Sequence, residues 1–262
     1  MAELDYLADI HRESTRFHAV LSTADPGAPV QSCPGWTAED LLWHLTEVQT
    51  FWGSIVRERR QEFGGRGVTK PDVDYQGLLD GFAAASAALQ QALAQTPVDV
   101  PVWTWADDQT AGFVRRRQAQ EVLIHRLDAE LLSNATTPLD PTLASDGVDE
   151  ILTVMYGARP AWTAFAPSGH TGRILATDTG TSWDLRPGRS IGTDPGTGET
   201  HDRPAVEVSR PGGNGAASFT VTGSAAQLDA WLWRREVFGE PVISGDPAAS
   251  ELFLAVLASG IR

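Results

Sequence analysis

Residues 110–133 read TAGFVRRRQAQEVLIHRLDAELLS, and the fold reading starts there. The stretch predicts one long helix over 110–133, closed by the loop NATTPLDP. Within it, Glu121 and His125 stand in the order E-x-x-x-H. Residues four apart lie on one helical face, one turn from each other. A carboxylate oxygen and an imidazole nitrogen can therefore be presented to a single ion.

Working towards the N-terminus, three more helices emerge. Over 4–21 the apolar residues Leu4, Leu7, Ile10, Phe17, Val20 and Leu21 recur at helical spacing. The turn-rich stretch STADPGAPVQSCPGW follows. Thr37 reads as an N-cap, with Glu39 and Asp40 placing negative charge in the first turn of a helix that runs to residue 62, where GGRG stops it. A third helix, rich in Ala and Leu, is expected over 75–95 and ends before Pro97. Four amphipathic helices predict a four-helix bundle, with connections longer than those of a simple short-looped arrangement.

Towards the C-terminus the composition changes. A fifth helix is expected over 145–164. Short alternating runs then follow, RILATD, TSWDLRP, AVEVSR and ASFTVTG, separated by Gly, Pro and Asp. Two helices, over 224–235 and 247–258, close the chain. The predicted fold class is thus α plus α+β, a helical bundle over 1–138 followed by a smaller α+β domain over 142–262. No internal repeat and no low-complexity tract interrupts this organisation.

Composition excludes several function classes. The 262 residues carry a formal net charge of −14, against the clustered basic surface a nucleic-acid partner requires. Arg57, Arg59 and Arg60, and the run Arg115, Arg116, Arg117, read as solvated faces or local ion pairs. No segment reaches the roughly 20 apolar residues that span a bilayer. The start, MAELDYLADIHRE, lacks a signal peptide's apolar stretch. A single cysteine, Cys33, forbids an internal disulfide. Cytoplasm, with neither membrane nor nucleic acid as partner, is the expectation. Oligomeric state leaves no sequence signal.

A third ligand candidate sits on the second helix. In LLWHLTEVQTFW, His44 has Leu41, Val48, Phe51 and Ile55 as helical neighbours, which turns it to the bundle interior. Two histidines and one carboxylate make a three-ligand site with open positions, the pattern of catalytic metal centres. The same residue types also occur as a surface Glu/His pair and a satisfied core histidine. His11, His18, His170 and His201 have no comparable partner. Cys33 opens CPGW before a helix N-terminus, a setting that can lower a thiol pKa. No His or Asp accompanies it in a triad-like word, so packing beside Trp36 is its expected role.

Four words in order, CPGWTAEDLLWHL, QEVLIHRLDAE, ASDGVDEIL and GSAAQLDAWLWRR, resemble the mycothiol-dependent maleylpyruvate isomerase family, whose N-terminal domain is a DinB-like bundle. The resemblance spans most of the chain. It implies a divalent metal, usually Zn2+, held by His44, Glu121 and His125. It also implies mycothiol as thiol cofactor or cosubstrate and a small-molecule electrophile, with either cis–trans isomerisation or S-transfer as the reaction. A hydrolase using metal-bound water, or a non-catalytic binding member, stands as the alternative. WLWRR resembles the family's W-L-W-G-R word, which places the family's catalytic Arg at Arg235, with Arg234 where Gly is usual. A guanidinium fork suits a carboxylate anchor. A cation near a helix end also simply complements the dipole.

Overall fold

The computed structural model describes residues 4–65, 67–133, 135–210 and 216–260. The chain divides into two compact units, Met1–Pro138 and Leu139–Arg262.

The first unit is built on four helices: α1 (Tyr6–Leu21), α2 (Ala38–Glu58), α3 (Tyr75–Gln95) and α4 (Ala111–Leu131). Each starts on a side chain that accepts an otherwise orphaned backbone N–H: Asp5, Thr37, Asp74 and Thr110. Thr37 forms a full capping box. Its hydroxyl accepts from Asp40 N–H at 3.2 Å, and the Asp40 carboxylate accepts from Thr37 N–H at 2.9 Å. Those bonds, led by the one from the Thr37 backbone, hold Asp40 below the usual carboxylate range.

The α2 helix ends four residues before the sequence expectation. Arg59 turns left-handed at φ 49°, and the chain leaves the helix to meet the α3–α4 connection. There Arg60 C=O accepts from Trp103 N–H at 2.6 Å, and Gln61 Nε2 donates to Pro101 O at 2.7 Å. A tertiary contact, rather than the glycines downstream, sets this boundary.

Helix α1 packs on α4 and α2 on α3. A Cβ at Gly53 would stand 3.3 Å from Leu89 Cα, so glycine is what permits this close approach of α2 to α3. Phe17, Leu21, Leu41, Leu42, Leu45, Phe82 and Val122 fill the interior. Arg126 is buried as well and donates to Glu13 at 2.7 Å and Glu130 at 2.9 Å. Glu130 in turn accepts from Thr137 N–H at 2.7 Å, which fixes the end of the bundle segment. Buried charges of this kind need complete pairing, and here they have it.

The second unit opens with α5 (Pro141–Glu150), continued by a π-helical turn, Ile151–Tyr156. The predicted helix over 145–164 is therefore shifted. Asp140 caps it and Pro141 occupies its first turn, where a missing N–H costs nothing. Thr163 and Ala164 already belong to a strand. Six strands follow: β1 (Thr163–Pro167), β2 (Gly172–Ala176), β3 (Ser182–Thr193), β4 (Thr200–Ser209), β5 (Phe219–Gly223) and β6 (Val242–Gly245). The sheet runs β1-β3-β2-β5-β6, with β4 paired to β3. Among the described residues only β2 and β5 pair in parallel, and the Phe219 ring of β5 lies over Gly172 of β2, where any Cβ would clash.

Two helices, α6 (Ala225–Leu232) and α7 (Pro247–Ala258), complete the unit. The expected helix over 224–235 stops early because Arg234 adopts φ 63°. This is the left-handed region where glycine is favoured. Among the described residues no helix is long and apolar enough to cross a membrane.

Candidate metal centre

Helix α2 presents His44, and α4 presents Glu121 and His125, on facing sides of the bundle. Glu121 Oε1 stands 3.3 Å from His44 Nε2 and 3.3 Å from His125 Nε2. One donor atom from each residue lies within 4.8 Å of the others. Neighbouring donors around a tetrahedral ion with ~2.0–2.2 Å bonds stand roughly 3.3–3.5 Å apart. Two imidazoles and a carboxylate at this spacing fit a divalent ion of the zinc type. The structure thus brings together the three residues singled out on α2 and α4.

Three further side chains shape the cluster, Arg117, Asp128 and Trp36, beyond those that motif and spacing single out. Arg117, buried one turn before Glu121, donates to its second oxygen at 2.9 Å. Asp128, fully buried one turn after His125, accepts from His125 Nδ1 at 2.9 Å. Trp36 lies 4.7 Å from the His44 ring and 6.3 Å from the His125 ring, centroid to centroid. Helical spacing offered a signal for the first two, since i−4 and i+3 share a neighbourhood with Glu121 and His125. For Trp36 the sequence offers only its place beside Cys33 in CPGW.

Charge is concentrated here. Burial alone would raise the Glu121 pKa, but bonds from His125 and His44 and the positive Arg117 hold it well below the ordinary range. Burial opposes a charged His125, yet its bonds to Asp128 and Glu121 raise its pKa to about 9. Without an ion, the centre at neutral pH is an imidazolium facing carboxylates. Binding a divalent cation requires that proton to leave.

Cys33 packs against the bundle core beside Trp36. The sequence placed no His or Asp near it, but the fold does: its thiol donates to Asp128 Oδ2 at 3.5 Å, across 95 residues of chain. Cys33, His125 and Asp128 form a second triple of potential ligands sharing His125. The remaining histidines are occupied singly. His11 bonds Gln90, His18 stacks on Phe82, His170 faces Asp246 and His201 meets Trp162.

Arg235 belongs to the second unit, apart in sequence from the three ligand candidates. Its Nη1 donates to Trp233 O at 2.6 Å. Tyr156, whose hydroxyl donates to Leu232 O, is pushed up to about 12 by burial despite the opposing charges of Arg234 and Arg235. Arg234 donates to Leu257 O near the end of α7.

Residues 7–130 match the sequence model of the mycothiol maleylpyruvate isomerase N-terminal domain. The fold matches crystal structures of the mycothiol-dependent maleylpyruvate isomerase and of a histidine-to-alanine mutant of that protein. Both give a TM-score of 0.60, at 16% and 15% identity respectively, and cover 92% of each chain. Among curated proteins no sequence matches this chain significantly. The N-terminal bundle thus matches the N-terminal domain model of the family named by resemblance above, and the two-part α plus α+β fold is similar to that of a solved mycothiol-dependent maleylpyruvate isomerase.

Proposed function

We propose that this chain is a metal-dependent enzyme of the maleylpyruvate isomerase type that uses mycothiol on a small electrophile, by S-transfer or by cis–trans isomerisation. The observation that carries the reading is the convergence of His44, Glu121 and His125, 3.3 Å apart at their shared oxygen, on a domain that matches that family. These three residues would hold the ion. When bound, a zinc-type ion supplies the positive charge that shifts a thiol towards thiolate and polarises a carbonyl.

The chain's own groups prepare that chemistry. Arg117 fixes one oxygen of Glu121, so the other faces both imidazoles. Trp36 packs beside both rings, 4.7 Å from His44 and 6.3 Å from His125 between centroids. Three protein ligands leave a position for a sulfur, as catalytic rather than structural centres do. Arg235 is proposed as the anchor for a substrate carboxylate, its fork suited to a planar anion. A reducing, cytoplasmic setting goes with this reading: a thiol cosubstrate and the free Cys33 both persist there.

The test is turnover of maleylpyruvate and of a haloalkyl electrophile by zinc-loaded protein, with and without mycothiol. Turnover only with the thiol is expected. Equal turnover in a thiol-free assay would replace this reading by a hydrolase acting from the same three residues.

A further inference from the structure

The two candidate triples share His125, and the geometry decides which of its nitrogens serves the ion. We propose that Asp128 is the positioning residue of the centre: it holds the proton on His125 Nδ1, so that Nε2 is the nitrogen offered on the His44 and Glu121 side. The inference rests on the metal reading above. Nδ1 stands 2.9 Å from Asp128 Oδ2, an ordinary charge-assisted hydrogen bond, while Nε2 stands 3.3 Å from Glu121 Oε1. Asp128 is fully buried, a costly place for a carboxylate without a donor. A buried acid behind a ligating imidazole fixes both the ring's orientation and its tautomer.

The same oxygen also accepts the Cys33 thiol, at 3.5 Å. A thiol is a weak donor, so it leaves the oxygen's main bond to His125. Its consequence is architectural. The loop carrying Cys33 and Trp36 is tied through Asp128 to the α4 ligand, and Trp36 is thereby set against both imidazoles. Asp128 thus joins the loop before α2 to the ligand face of α4.

The alternative is that the ion sits in Cys33, His125 and Asp128, with Asp128 as a ligand. The experiment separates these by zinc competition against a chromophoric chelator, on wild type, His44→Ala, Cys33→Ala and Asp128→Asn, each checked by thermal melting. Asp128→Asn is expected to bind zinc ~10–100-fold more weakly while remaining folded. Cys33→Ala should stay within a few-fold of wild type, and His44→Ala should lose the ion. Loss in Cys33→Ala with retention in His44→Ala overturns the proposal, as does wild-type affinity in a folded Asp128→Asn.

A second readout needs no metal. Long-range 1H–15N NMR of zinc-free protein should show a His125 Nδ1 proton shielded from exchange, and Asp128→Asn should lose that shielding. If wild type binds no zinc but keeps the shielded proton, the metal reading fails while the role of Asp128 in orienting the ring stands. If the proton exchanges freely in folded wild type, the positioning role itself is wrong.

Discussion

Arg117 donates to Glu121 Oε2 at 2.9 Å from one helical turn away, and Glu121 Oε1 is left facing two histidines. A buried arginine thus substitutes for part of the positive charge that a divalent ion would bring. Removing one partner of a buried pair costs about 3–5 kcal/mol. Arg117→Met should therefore destabilise the zinc-free protein by about 3 kcal/mol, and zinc should restore much of that loss. Urea unfolding with and without zinc measures both values. An equal cost in the two states would show that Arg117 acts only as packing.

The pH dependence of the zinc-free protein follows from His125, whose pKa rises from 6.5 to about 9 on folding. A raised folded value means the stabilisation is fully present below pH 6.5 and is lost as pH climbs through 9. Its size is at most about 3 kcal/mol. Zinc affinity should run the other way and increase with pH across the same window, because binding displaces the proton. Melting curves of wild type and His125→Ala between pH 6 and 10 check the first statement. A wild-type slope preserved in His125→Ala would remove His125 as its source.

How far the sequence carried depends on how local each signal was. Helices α3 and α7 lie at their expected bounds because caps and stops adjoin them: Asp74 and Pro97 for one, Asp246 and Pro247 for the other. The end of α2 was missed because Trp103, far along the chain, holds Arg60. Strand β1 reads TAFAP, and its Pro167 is tolerated at a sheet edge, so no alternation announced it. Strand β6 is four residues long, and all four are exposed, so no buried face imposed an alternation.

The centre divides in the same way. Glu121 and His125 were legible because helix periodicity puts them together, and His44 because apolar residues surround it on α2. Asp128 shares the helix and stands in QEVLIHRLDAE, but nothing local marks it as a partner of His125. Its contact with Cys33 is tertiary and has no local trace.

Arg234 holds φ 63°, a conformation that costs an ordinary residue about 1 kcal/mol and glycine little. Arg234→Gly should raise the melting temperature by about 1–3 °C, offset in part by loss of the bond to Leu257 O. Differential scanning calorimetry decides this. A lower melting temperature would mean that the Leu257 contact outweighs the backbone relief.

Arg235→Ala separates anchoring from structure. If Arg235 binds a substrate carboxylate, kcat/KM at saturating thiol should fall by about 10²-fold, as loss of a charged hydrogen-bond partner of about 3 kcal/mol requires. The melting temperature should change little. Unaltered kinetics, or a loss matched by unfolding, removes Arg235 from substrate binding.

His44, Glu121 and His125 are proposed to hold one ion between α2 and α4. Zinc stoichiometry, measured by elemental analysis after reconstitution and gel filtration, tests it most directly on wild type, His44→Ala, Glu121→Ala and His125→Ala. About one zinc per wild-type chain and almost none in each variant is the expected result, with the helical circular dichroism of the bundle preserved. Metal-free wild-type protein after reconstitution, or full occupancy in folded Glu121→Ala, would contradict it.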